Sequence, residues 1–243
     1  MEKRGFGKWL LVAVVLVSGI ACAQDGASGN SAGELRLRIV SSLSGTNRVV
    51  PAVVWLEPLA GTPALPFTPH GHYVLLQKNR TFIPHLQVVP VGTAVRFPNA
   101  DPFFHNVFSL FDGKRFDLGL YEAGSSKSVT FSRAGVSYIF CNIHPEMSAV
   151  VLALTTPLYA IADKNDSFAL PDIPPGNYTL HVWIESISQS ILEGLSRRVH
   201  VPAGAVDLGE LKAPIPRGRT MTHGNKFGQA YTPDPQSAYS IDR

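Results

Sequence analysis

From Glu34 onward the chain shows no stretch with the 3.6-residue hydrophobic period of a helix, only short alternating apolar runs broken by turn residues. Leu35, Leu37 and Ile39 alternate with Arg36, Arg38 and Val40, the period of a strand with one covered face. Further strand candidates are 52–59, 73–77, 86–91, 94–97, 105–110, 126–131, 136–140 and 149–154. Val91-Gly92-Thr93, Asn99-Ala100-Asp101-Pro102, Asp112-Gly113 and Arg133-Ala134-Gly135 supply turns between them. With 21 Gly and 19 Pro to cut the chain, this is the pattern of an all-β sandwich or barrel.

A second block of strands begins near Pro157. Tyr159–Ala162 and Ser167–Leu170 flank the polar turn Asp163-Lys164-Asn165-Asp166, and Pro171–Gly176 breaks the pattern. Tyr178–Ile184 alternates again, Arg198–Val201 makes a last strand, and Tyr178 and Trp183 are expected in the core. The organisation expected is a leader over 1–23, a linker over 24–33, a first sandwich over 34–156, a second over 157–213 and a flexible tail over 214–243. That tail is rich in Pro, Gly, Arg, Ser and Thr and too poor in aliphatics to fold alone, so it either drapes over the sandwiches or stays unfolded.

The leader has a short basic stretch (Lys3, Arg4, Lys8), an apolar run from Trp9 to Val17 and an Ala21-Cys22-Ala23 cleavage pattern, which together imply export. Lipidation at Cys22 is the lesser alternative. No later stretch is apolar enough to span a bilayer, so no transmembrane segment is expected after leader removal. Formal net charge is +3, and Lys and Arg form no run, which argues against a nucleic-acid partner.

Of the two cysteines, Cys22 would leave with the leader, so Cys141 has no disulfide partner and needs another explanation. Directly after the strand 136–140 stands Cys141-Asn142-Ile143-His144-Pro145-Glu146-Met147, and His105 opens another strand 36 residues earlier. One thiolate, two imidazoles and a weakly held thioether form the trigonal set of electron-transfer copper. Zinc would prefer four Cys or His ligands. Taken singly, Cys141 reads as a buried thiol, His105 as a core histidine and Met147 as a gap-filler. The spacing turns all three toward metal.

The Cys-x2-His-x2-Met loop resembles that of the cupredoxin family, with a loop like amicyanin's. The stretches Phe82-Ile83-Pro84, Val89 to Asn99 and Phe104-His105-Asn106-Val107-Phe108 are similar to that family's strands and His-Asn-Val segment. The resemblance implies a Greek-key sandwich and one type 1 copper ion held by His105, Cys141, His144 and Met147. It also implies that Asn106 ties the His105 loop to the Cys141 loop, and that the surface near Pro145 meets redox protein partners. Phe140 stands where multicopper oxidases carry a His, which speaks against oxygen reduction. The second block resembles the carboxypeptidase regulatory-like (transthyretin-like) sandwich through Phe168, Leu170, Pro174-Pro175-Gly176, Tyr178-Thr179-Leu180 and Val182-Trp183, departing from it at Asp166. The order of the two blocks resembles exported proteins labelled methylamine-utilisation-like.

The function expected is therefore a non-enzymatic, periplasmic or otherwise exported electron carrier. The alternatives are a copper-binding or delivery protein without redox exchange, and a two-domain module binding protein or carbohydrate. Glu146 as an oxygen ligand and His85 as a residue near the metal remain open, while His70 and His72 are expected in a solvated loop.

Overall fold

The computed structural model describes residues 32–43, 50–110, 113–215 and 223–231. The leader and its Cys22 lie outside the described residues. The described chain is all-β apart from one short helix. In chain order the strands are β1 (Gly33–Ser41), β2 (Ala52–Pro58), β3 (Tyr73–Val74), β4 (Leu76–Lys78), β5 (Thr81–Ile83), β6 (Leu86–Pro90), β7 (Thr93–Pro98), β8 (His105–Ser109) and β9 (Phe116–Tyr121). They continue as β10 (Ser126–Phe131), β11 (Gly135–Phe140), β12 (Ser148–Leu154), β13 (Tyr159–Ile161), β14 (Ser167–Ile173) and β15 (Gly176–Ile184). The helix α1 (Gln189–Leu195) precedes β16 (Arg197–Val201) and β17 (Gly204–Ala213).

The first sandwich pairs a sheet ordered β10-β7-β3 with a five-stranded sheet ordered β6-β12-β11-β8-β9. The chain passes from one sheet to the other at Val91-Gly92. Gly92 has φ +90° and donates its N–H to the Phe131 carbonyl at 2.8 Å, a conformation that costs an L side chain strain. Strand β7 shows why alternation was legible: Thr93, Val95 and Phe97 are buried while Ala94 and Arg96 are exposed.

The boundary between the blocks differs from the expected one. Strands β1 and β2, expected with the first sandwich, belong to the second. β1 is the central strand of β14-β1-β17, antiparallel to β14 and parallel to β17, and β2 lies between β13 and β15 in the sheet β13-β2-β15-β16. The first sandwich is thus set into the second. The reason is local ambiguity: Leu35-Leu37-Ile39 fixes which face of β1 is covered and says nothing about which strand covers it.

The second block is not a separate small sandwich either. Strand β12 is buried at all seven positions, as expected of a strand covered on both faces. Ala149, Val151 and Ala153 enter the core with Val95, Phe97 and Phe131. Val150, Leu152 and Leu154 enter the larger core that holds Leu35, Val53, Leu56, Tyr178 and Trp183. Trp183 Nε1 donates to the Tyr138 hydroxyl at 3.3 Å across that junction. Tyr178 and Trp183 are core aromatics as expected, 0% and 1% exposed. Helix α1 had no counterpart in the sequence pattern, since only Leu192 of its seven residues is buried.

Candidate metal centre

Neighbouring strands of the five-stranded sheet converge on one end. β11 and β12 form an antiparallel hairpin closed by Phe140↔Ser148, which leaves Cys141–Met147 as its loop. The Cys141 N–H donates to the Met147 carbonyl at 3.3 Å and the Met147 N–H to the His144 carbonyl at 3.1 Å, so the loop folds back on itself. β8 pairs antiparallel with β11 at Phe108↔Phe140. In that register the start of β8 runs alongside the loop, and His105 comes to face it.

The ligand atoms of His105, Cys141 and His144 meet. Cys141 Sγ lies 3.7 Å from His105 Nδ1 and 3.5 Å from His144 Nδ1, and the two Nδ1 atoms are 3.1 Å apart. His105, Cys141 and Met147 are all fully buried, and His144 is half-buried beside the exposed Ile143 and Pro145. The Met147 side chain packs in the same apolar cluster as Cys141. Phe103 turns its edge toward both imidazoles, at 5.3 and 5.6 Å between ring centres.

Electrostatics keep the two imidazole Nδ1 atoms available. His105 Nε2 donates to Asp101 Oδ2 at 2.8 Å, which directs its Nδ1 toward Cys141. Burial pushes the Asp101 carboxyl up, but the N–H of Arg80, the His105 ring and the N–H of Asn79 outweigh it and leave the group below its ordinary value. Burial, and then the nearby His105, hold His144 below the ordinary imidazole value, so its ring is neutral at neutral pH. Burial raises the Cys141 thiol, opposed by the backbone N–H groups of Asn106, Ile143 and His144.

Other expected residues fall differently. The Asn106 side chain does not reach the Cys141 loop; its Nδ2 donates to Asp117 Oδ1 at 2.7 Å, and it is the Asn106 backbone N–H that acts on the Cys141 sulfur. Glu146 is exposed and is not among the residues whose ligand atoms cluster. His85 is engaged elsewhere, with Nε2 2.6 Å from Glu185 Oε1 and Nδ1 3.1 Å from the Ser148 carbonyl. His70 and His72 are exposed, as expected of a solvated loop. Asp101 was read only as a turn residue, although an Asp four positions before a ligand-type His is a signal that could have flagged it.

Of the two courses expected for the tail, its described segment takes the draped one. Its segment 223–231 drapes over the loop: the Tyr231 hydroxyl donates to the Cys141 carbonyl at 2.8 Å, and the Lys226 N–H to Asn142 Oδ1 at 2.8 Å. Burial pushes the Tyr231 hydroxyl up to about 12, so it remains a donor at neutral pH.

No protein-family model matches the chain, and no curated protein matches it. Solved structures similar to part of it include a purple cupredoxin from Nitrosopumilus maritimus, with 23% identity over 34% of this chain and 99% of that one, at a TM-score of 0.31. Amicyanin from Paracoccus versutus has 22% identity over 36% of this chain and 85% of that one, with a TM-score of 0.32. A copper-containing nitrite reductase from Thermus scotoductus has 24% identity over 40% of this chain and 25% of that one, with a TM-score of 0.34. Each likeness spans less than half of this chain.

Proposed function

We propose that the protein is an exported, non-enzymatic carrier of single electrons, with one copper ion bound by His105, Cys141, His144 and Met147. The observation that carries the reading is the triangle of ligand atoms. With sides of 3.1, 3.5 and 3.7 Å it has a centre about 2.0 Å from each corner, within the range of metal bonds to imidazole nitrogen and close to that of thiolate sulfur. The donor set favours copper, since a thiolate and a buried thioether suit the reduced ion and imidazoles suit both oxidation states. Copper would supply the one-electron couple.

The residues of the chain do the rest. Asp101 holds the His105 ring by its far nitrogen, and backbone N–H groups orient the Cys141 sulfur. The loop hydrogen bonds fix where Met147 sits. Because these groups are held before any ion arrives, little rearrangement accompanies a change of charge at their centre, which favours fast exchange. Binding of a cation displaces the Cys141 proton, so uptake is favoured by rising pH. A redox protein partner would approach over the half-buried His144, where Phe104, Ile143 and Pro145 are exposed. No helix among the described residues is long and apolar enough to cross a membrane.

The test is the visible spectrum of the mature chain after addition of Cu(II). An intense thiolate-to-copper band that bleaches reversibly with ascorbate is expected. Cys141→Ser should abolish the band and Met147→Leu should shift it. A wild-type protein that takes up Cu(II) with only the pale colour of nitrogen and oxygen ligation would overturn the reading.

A further inference from the structure

The segment from His223 to Tyr231 touches Phe140, the metal loop and Asp117 on β9, the strand paired with the one that carries His105, by four different contacts. The His223 ring stacks on Phe140, the residue before Cys141, at 4.0 Å between centres and 24° between planes. The Tyr231 hydroxyl bonds the Cys141 carbonyl at 2.8 Å. The Lys226 N–H bonds Asn142 Oδ1 at 2.8 Å. The Lys226 ammonium reaches Asp117 Oδ2 on β9 at 2.7 Å, while Asp117 Oδ1 accepts from Asn106, the residue after His105. One segment therefore holds the Cys141 loop directly and reaches the His105 strand through Asp117.

The segment also holds its own shape. Asn225 Oδ1 accepts the N–H of Phe227 and of Gln229, each at 3.0 Å, and the Asn225 N–H donates to the Gln229 carbonyl at 2.8 Å. Tyr231 and His223 meet edge to face at 5.4 Å. A strap built this way presents its three donors, the Tyr231 hydroxyl and the Lys226 N–H and ammonium, at fixed places.

The Cys141 carbonyl is the point where this matters. The peptide that carries it leads into Asn142, and the next two residues supply the Ile143 and His144 N–H groups that act on the Cys141 sulfur. Fixing that carbonyl from outside fixes the peptide plane, and with it the direction in which those N–H groups and the sulfur face one another. We infer that residues 223–231 form a strap belonging to the metal centre, in which Tyr231 positions the Cys141 peptide and Lys226 joins the Cys141 loop to the His105 strand through Asp117. The inference rests on the copper reading and adds to it a constraint supplied from the far end of the chain.

The experiment uses the full chain with Tyr231→Phe, Lys226→Ala and Lys226→Arg. In the metal-free protein, amide hydrogen exchange is followed in the peptide covering 141–147, with the peptides of β1 and β2 as internal reference. In the copper-loaded protein, the reduction potential and the rate of copper loss to a chelator are measured. Tyr231→Phe, which removes the hydroxyl bonded to the Cys141 carbonyl and lying 3.4 Å from His223 Nδ1, should speed exchange in 141–147 about 3- to 10-fold without changing the reference peptides, speed copper loss comparably and shift the potential. Lys226→Ala should do the same by about 2- to 5-fold, and Lys226→Arg should restore wild-type behaviour.

Unchanged exchange in 141–147 overturns the strap. Faster exchange with a wild-type potential and rate of copper loss also overturns it, since the segment would then be only a cover. A wild-type chain that never develops the copper band sinks the copper reading instead, and the metal-free exchange comparison still decides whether the strap holds the loop.

Discussion

Between Tyr73 and Leu154 the fold buries Gln77, Thr93, Asn99, Asp101, His105, Asn106, Ser109, Ser137 and Ser148, whereas the rest of the described chain buries only Thr156 and Glu185 among its polar side chains. Burying a polar group costs free energy unless it is hydrogen-bonded, so the first sandwich accepts a cost that the second avoids. The Thr93, Ser109 and Ser137 hydroxyls are buried without a hydrogen-bond partner, but Gln77, Asn99, Asp101 and His105 are not scattered. Gln77 bonds the Tyr121 hydroxyl, Tyr121 bonds the Phe97 carbonyl at 3.0 Å, Asn99 bonds the Phe103 carbonyl at 2.8 Å, and Asp101 bonds His105 at 2.8 Å. They lead toward the end where the ligand atoms meet. The larger core is built for cohesion and the smaller one for geometry.

If that division holds, the largest loss of stability comes from the larger core. Trp183→Ala removes a side chain 1% exposed together with its bond to Tyr138, and should cost about 3–5 kcal/mol in urea denaturation of the metal-free protein. The copper band of the surviving folded protein should keep its position. A loss below about 1 kcal/mol would mean that the two cores do not unfold together. Asp101→Asn should behave in the opposite sense. Asn retains the size and one acceptor but loses the charge that faces His105, so folding should weaken modestly while copper affinity falls about 10- to 100-fold in chelator competition. An Asp101→Asn protein with wild-type affinity would break the claim that the buried polar groups serve the site.

The sequence made some of this legible for definite physical reasons. Alternation in β7 and β10 reports one covered face, and Cys141, His144 and Met147 share one loop directly after a strand, so their proximity needs no long-range information. His105 was reachable because it opens a strand. The partnership of β1 with β17 was not legible, because a parallel pair this far apart leaves no local mark on either strand. Nor was the role of residues 223–231, whose contacts are hydrogen bonds and ring stacking, to which a hydrophobic pattern is blind. Asp101 was hidden by its setting, since Asp before Pro is also what a turn demands.

The smallest effect tests the seam between the two regions. His85, just before β6, reaches Glu185, just after β15, with Nε2 2.6 Å from Oε1, and Glu185 is one of the two polar groups the second region buries. The hydrogen bond to the Glu185 carboxylate raises His85 above its ordinary value of 6.5 against the opposing effect of burial. A histidine whose folded value lies above its unfolded one stabilises fully below the unfolded value and loses that contribution as pH rises through the folded value. The His85 side chain is 40% exposed, so solvent screening keeps the contribution below about 1 kcal/mol. Denaturation midpoints of wild type and Glu185→Gln, followed from about pH 5 to about pH 9, should differ most at the acid end and converge as His85 deprotonates. A difference independent of pH would assign the contact to a neutral hydrogen bond, and the seam would then be held by the apolar contact of β12 with the larger core and by no charge.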